Sequence, residues 1–205
     1  MSDSRYSELV QLIDGWHGLT SGPAEELVSD SLVLLDHLGD AGSLVDVGSG
    51  GGLPGLPLKI ARPELDVTLI EADQAKAAFL VQACARLGLA GVEVVARRAE
   101  EAGHEPRLRE AFDVAVARAL APMPVLVELC LPFVRVGGRL LAQKTATEDV
   151  ERARHAIELV GGGAALVRPA PSTARHGGVV VVVTKVRSTP PEFPRRAGIP
   201  GRRPL

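Results

Sequence analysis

A chain of 205 residues, 46% hydrophobic and 23% charged, has the length of one domain with a short addition and the composition of a globular protein, which excludes wholesale disorder and a fibrous repeat. Its net charge of −2 gives no overall attraction to nucleic acid, so an RNA partner requires a local basic patch. The only cysteines, Cys84 and Cys130, are far apart and lack neighbouring cysteine or histidine ligands, which argues against a disulfide framework or a metal site and for a reducing cytoplasm.

The first residues, Met1 to Val10, are polar and charged where a secretory signal needs an apolar run. No apolar run reaches the ~18 residues of a membrane span, so no membrane association is expected. Apolar residues then recur at helical spacing from Ser4 to Trp16 (Leu9, Leu12, Ile13, Trp16) and from Ala24 to Leu38 (Leu27, Leu32, Leu35, Leu38), which predicts a helical extension over residues 1–40. Gly18, Gly22 and Pro23 punctuate the loop between these helices.

From Leu44 to Val47 a short apolar run stops at a glycine cluster, as a buried strand does before a tight turn. Runs of the same kind at Val67–Glu71, Val92–Ala96, Phe112–Ala117, Arg139–Gln143, Ala164–Arg168 and Val179–Val186 bring the total to about seven strands. Helical periodicity fills Leu56–Ala61, Ala75–Leu87, Pro122–Val134 and Thr147–Leu159. With only 3% aromatic residues, the core must be built from Val, Leu, Ile and Ala, the mix that buried parallel strands use. The alternation predicts a doubly wound, Rossmann-like α/β sheet with helices on both faces, spanning residues 41–188. Only a short segment around His176 and Gly178 joins the last two strands, which therefore form an antiparallel hairpin. Residues 189–205 are expected to be a tail outside the core, since positions 190–205 hold five prolines and four arginines against one acid, Glu192.

Gly48, Gly50, Gly52 and Gly55 follow the first strand directly. In an open α/β sheet this turn lies where ligands bind, beyond the carboxyl ends of the strands. The spacing fits G-x-G-x-G at 48, 50 and 52 and G-x-G-x-x-G at 50, 52 and 55, so the turn alone does not distinguish a nicotinamide dinucleotide from S-adenosylmethionine. Glu71 ends the second strand 23 positions beyond Gly48, near the ~20 expected of an acid that grips a cofactor ribose. After Phe112 too few residues remain for a second mononucleotide half and a substrate domain, and the terminal hairpin breaks an all-parallel pattern; both favour the smaller cofactor.

These pieces resemble the small-subunit ribosomal RNA methyltransferase G family, also named glucose-inhibited division protein B. The similarity spans nearly the whole chain. It rests on Asp30-Ser31-Leu32, on Leu44-Val45-Asp46-Val47-Gly48-Ser49-Gly50 running into Gly52-Leu53-Pro54-Gly55-Leu56-Pro57-Leu58, and on Arg98-Ala99-Glu100-Glu101. It continues through Ala117-Arg118-Ala119 and Gly137-Gly138-Arg139 to Arg195-Arg196-Ala197-Gly198-Ile199-Pro200 and Arg202-Arg203-Pro204-Leu205. The chain departs from the family at Leu27, where a histidine is usual, and at Gly18, where asparagine is common.

The resemblance implies a class I fold dependent on S-adenosylmethionine and methyl transfer to N7 of a guanine in 16S ribosomal RNA, naked or in the small ribosomal subunit. Positions matching Gly48, Leu53, Ala99, Glu100 and Arg118 would line the methyl-donor site, with Gly50, Gly52 and Glu71 added by the chemistry above. Arg195, Arg196, Arg202 and Arg203, with Arg97, Arg98 and Lys144, are candidates for phosphate contact, because guanidinium forks match phosphate oxygens. Guanine N7 carries a lone pair and no proton, so no catalytic acid or base is expected and His17, His37, His104, His155 and His176 are read as surface or structural; Arg118 is a candidate orienter. A cytoplasmic monomer is expected. Rival readings are a small-molecule methyltransferase of the same fold, a nicotinamide-dependent oxidoreductase and a non-enzymatic RNA-binding module.

Overall fold

A computed structural model describes residues 3–16 and 18–205; His17 lies outside the described residues. Seven strands, β1 (Ser43–Val47), β2 (Asp66–Ile70), β3 (Val92–Val95), β4 (Phe112–Arg118), β5 (Val134–Thr145), β6 (Gly162–Pro169) and β7 (Gly178–Lys185), form one sheet in the order β3-β2-β1-β4-β5-β7-β6. Strands β1 to β5 pair in parallel, whereas β7 runs antiparallel to both its neighbours. Residues 170–177 are too few to carry a crossover back to the start of a parallel strand, so the chain reverses and β7 enters between β5 and β6.

The helices are α1 (Ser4–Asp14), α2 (Ala24–Ser31), α3 (Leu35–Leu38), α4 (Gly55–Ala61), α5 (Gln74–Arg86), α6 (Ala99–Ala102), α7 (Met123–Cys130), α8 (Arg154–Leu159) and α9 (Ile199–Arg202). Alternate residues of a strand point to opposite faces of a sheet. Val45, Val47, Ala115, Ala117, Leu140 and Ala142 accordingly pack with α7 and α8, while Leu44, Val114, Val116 and Leu141 pack with α1, α2, α4 and α5. An edge-to-face pair, Trp16 and Phe79 at 5.4 Å between centroids, ties the amino-terminal helices to α5, so they share that core. Cys84 packs half-buried against it, and burial pushes its thiol up to about 11.

Two boundaries differ from the sequence reading. The helix expected over 122–134 stops at Cys130 and passes through a 3₁₀ turn, Leu131–Phe133, into a β5 that begins at Val134 rather than Arg139. Pro132 lacks the amide that would continue the helix, and Gly137, at φ 86°, absorbs the register shift that lets the strand start early. The helix expected over 147–159 forms as a 3₁₀ turn, Glu151–Ala153, followed by α8.

The carboxyl-terminal stretch is not a tail outside the core. Phe193, Pro194 and Pro200 are buried, and Phe193 joins the α7 side of the sheet. Arg109 donates to the carbonyls of Gly103, Thr189, Pro190 and Phe193. Fully buried Lys185 donates to Leu131 O, Val134 O and Thr189 Oγ1, and burial pulls its ammonium down to about 8 against the pull of Glu110. Arg109 thus satisfies three carbonyls of a proline-rich segment that has few amides for a ladder of its own, and Lys185 ties its Thr189 hydroxyl to the start of β5.

Candidate active site

β1 leads into a turn that passes through Gly48 (φ 74°), Gly50 (φ 54°) and Gly52 (φ 82°), whereas Gly55 starts α4. All three glycines in the left-handed region belong to the 48/50/52 spacing, which selects that template over 50/52/55. The amides of Gly48 and Ser49 both donate to Ile70 O, at 2.9 and 3.0 Å, so the end of β2 holds the entry to the turn. Asp46 holds its exit: Oδ2 accepts from Gly55 N at 2.9 Å. With Oδ1 buried and without a partner among the described residues, burial pushes the Asp46 carboxyl up to about 7.

Glu71, 8% exposed, follows β2 and faces this turn. Its Oε2 accepts from Gly50 N and its Oε1 from Asp73 N, both at 2.8 Å. A carboxylate offers about four acceptor positions, so two remain for hydroxyl groups of a ligand. Asp73 in turn caps α5 by accepting from Ala75 N and Lys76 N.

A cavity of about 550 Å³ opens over the carboxyl ends of β1, β2 and β4, where the strand order reverses. Of the site residues named from sequence, it brings together Gly48, Gly50, Leu53, Glu71, Ala99, Glu100 and Arg118, along with Arg97 and Arg98. Gly52 does not line it: a Cβ there would lie 2.4 Å from Leu56 Cδ1, so this glycine faces the core and serves the shape of the turn. Glu100 Oε1 accepts from Gly198 N at 2.8 Å, which joins the cavity to the carboxyl-terminal segment.

Arg118 ends β4 half-buried, with Nη1 donating to Leu27 O at 3.3 Å. Burial lowers its pKa while Asp30 and Asp46 oppose that shift, and a guanidinium remains charged throughout. Beside it lie three groups that sequence reasoning did not assign to a site: Asp30, Arg175 and the loop Leu19–Ser21. Asp30, with no exposed surface, accepts from Arg175 Nε at 3.0 and 2.9 Å and from Ser172 Oγ at 2.5 Å, while its carbonyl accepts from Gln143 Nε2. Asp30 stands at helical spacing between apolar Leu27 and Leu34, and an acid on an inward-facing stripe, within the Asp30-Ser31-Leu32 motif, was the available signal. Arg175 lies in a loop 145 residues away and carried none.

Three residues expected to meet RNA form ion pairs within the chain, one of them exposed Arg97, which pairs with Glu105. Arg195 forms a bidentate pair with fully buried Glu128, at 2.9 and 2.6 Å, and its amide donates to the same carboxylate. Lys144, with a side chain 9% exposed, donates to Ala121 O at 2.6 Å and pairs with Glu148 at 3.1 Å. Arg196, Arg202 and Arg203 are exposed and form no ion pair among the described residues. His104 has the structural role expected of it, with Nε2 2.7 Å from Pro194 O.

The GidB family model, described as rRNA small subunit methyltransferase G, matches residues 4–168. The ribosomal RNA small subunit methyltransferase G of Moorella thermoacetica is 44% identical over 183 residues, covering 87% of this chain and 76% of the relative. That of Roseiflexus castenholzii is 48% identical over 179 residues, covering 86% and 76%. Among solved structures, the O-methyltransferase TomG of Streptomyces achromogenes in complex with SAM superposes with a TM-score of 0.62 at 20% identity, covering 90% of this chain and 91% of that one. The Thermus thermophilus 16S rRNA N2 G1207 methyltransferase, in complex with AdoMet and guanosine, gives a TM-score of 0.51 at 21% identity over 73% of this chain and 36% of that one. These structural likenesses establish a shared fold with methyltransferases.

Proposed function

The chain belongs to the rRNA small subunit methyltransferase G family, and from that premise we propose that it transfers a methyl group from S-adenosylmethionine to N7 of a guanine in 16S ribosomal RNA. The observation that carries this reading is the single cavity in which the glycine turn, Glu71, Glu100 and Arg118 meet. Its volume falls within the ~300 to 1,000 Å³ typical of ligand sites. Its wall at Gly48 has no room for a side chain, since a Cβ there would lie 2.6 Å from Leu120 Cδ1.

S-adenosylmethionine, when bound, supplies a methyl group activated on a sulfonium. Gly48, Gly50 and Leu53 would hold it along the turn. The two free acceptor positions of Glu71 suit the adjacent hydroxyls of a ribose, and Ala99 and Glu100 would border the adenine. Arg118 stands across the cavity as a positioning residue for the donor or the target base. Because N7 presents its lone pair without a proton, this chain need only align and desolvate the reacting atoms, and such alignment is worth ~7 to 11 kcal/mol. Exposed Arg196, Arg202 and Arg203 would hold RNA phosphates beside the opening, and we take the active form to be a cytoplasmic monomer.

The decisive test incubates the protein and radiolabelled S-adenosylmethionine with small subunits or with naked 16S ribosomal RNA, then maps 7-methylguanine by reduction and aniline cleavage. A single cleavage site is expected. Label in a metabolite or a protein, with none in RNA, would overturn the substrate assignment.

A further inference from the structure

Four contacts bind the carboxyl-terminal segment to the wall of the cavity formed by α6 and its flanks. Glu100 Oε1 accepts from Gly198 N at 2.8 Å. His104 Nε2 meets Pro194 O at 2.7 Å. Gly103 packs so closely that a Cβ there would lie 2.9 Å from Pro194 Cγ. Arg109 grips Gly103 O and Phe193 O with the same Nη1. Gly198 sits at φ 79° as the residue before α9, a conformation that aims its amide at Glu100. Arg196, without an ion pair among the described residues, precedes this turn by two residues, and Arg202 and Arg203 end the helix that follows it.

We infer that the Gly198 amide is a positioning group for Glu100, and that the carboxyl-terminal segment thereby couples RNA binding to occupancy of the methyl-donor site. A carboxylate at the mouth of a cavity is fixed only if one oxygen is engaged, and here the engaging donor belongs to the segment that carries the free arginines. RNA phosphates that hold Arg196, Arg202 and Arg203 restrict this turn and, through it, Glu100. The ordering cost of Glu100 is then met before the donor arrives, so each ligand tightens the other by the same factor, as linkage requires. The inference rests on reading the cavity as the donor site of an rRNA methyltransferase.

The test is calorimetric titration of the full chain with S-adenosylhomocysteine, alone and with saturating 16S ribosomal RNA transcript. RNA should tighten nucleoside binding by about fivefold or more, the low end of couplings between sites. The combined change Arg196→Gln, Arg202→Gln and Arg203→Gln should leave affinity without RNA unaltered and abolish the tightening. Gly198→Pro, checked for folding by circular dichroism, removes the amide and also forces φ from 79° to about −65°, and should weaken binding without RNA by a similar factor. In a Glu100→Ala background it should add nothing, whereas Glu100→Gln, which keeps an acceptor for the amide, should retain most of the affinity. Equal affinity with and without RNA in the unaltered protein overturns the inference, as does full additivity of Gly198→Pro with Glu100→Ala. If Gly198→Pro fails to fold, the arginine variant alone decides. No binding of S-adenosylhomocysteine to the unaltered chain would instead sink the proposed function.

Discussion

A carboxyl group cut off from solvent keeps its charge only where hydrogen bonds and cations outweigh the lost hydration. Among the described residues Asp46 receives one backbone hydrogen bond, from Gly55, and leaves Oδ1 unpartnered. Burial wins over that bond and over the more distant Arg118, while Glu71 adds a like charge, and the carboxyl is pushed from 3.8 to about 7. The unfolded chain releases this proton near pH 4 and the folded chain retains it until about pH 7. Between these values the folded state binds more protons, so the Asp46 contribution is full below pH 4 and is lost as pH rises through 7. Asp46→Asn removes the titration. Its stability relative to the unaltered protein should therefore improve from pH 5 to pH 8 by ~2.5 kcal/mol, the share of the displacement, about two units, that falls within that range. Urea unfolding at four pH values across that range measures the difference, and parallel profiles for the two proteins would show that Asp46 keeps an ordinary pKa.

At the scale of elements, the turn after β1 separates two uses of glycine. Gly50 has φ 54° but only Gly48 O, at 4.0 Å, near its missing Cβ, whereas Gly52 has φ 82° and Leu56 Cδ1 at 2.4 Å. Gly50→Ala bears the left-handed penalty of ~1 to 2 kcal/mol. Gly52→Ala adds overpacking of another ~1 to 3 kcal/mol and displaces α4, so it should unfold at lower urea and bind S-adenosylhomocysteine more than tenfold weaker; equal midpoints for the two variants would contradict this. The glycines were legible in the sequence because left-handed turns have few alternatives to glycine, and β1 and β7 were legible because Leu44–Val47, apolar but for Asp46, and Val179–Val183 are largely buried runs. Pro132 and Gly137 concealed the start of β5, since a 3₁₀ turn and a bulge have no periodicity of their own. The wall containing Asp30 and Arg175 was hidden for a different reason: 145 residues separate them, and only the closing of β7 against β5 brings the loop back over α2. The Arg195 ion pair was not legible because composition does not reveal Glu128, buried in α7, as its partner.

For the molecule as a whole, a net charge of −2 means that attraction to RNA depends on how charge is arranged. Most of the acids nearest the carboxyl-terminal segment are already engaged: Glu128 by Arg195, Glu110 by Lys185 and the Thr189 amide, Glu100 by Gly198. Their engagement leaves Arg196, Arg202 and Arg203 as exposed cations without an ion-pair partner among the described residues, on the same segment that hydrogen-bonds Glu100 of the cavity wall. Each phosphate neutralised by such a group releases part of a counterion, so three contacts to single-stranded RNA contribute ~2 to the slope of log affinity against log salt. Replacing all three with glutamine should lower the slope by that amount in filter-binding assays between 50 and 200 mM salt. Arg195→Gln is the informative contrast. It should leave the salt slope unchanged yet destabilise the fold by ~3 to 5 kcal/mol, because it strands the buried carboxylate of Glu128. Should the Arg195 variant flatten the slope while the triple variant does not, the RNA meets Arg195 and not Arg196, Arg202 and Arg203.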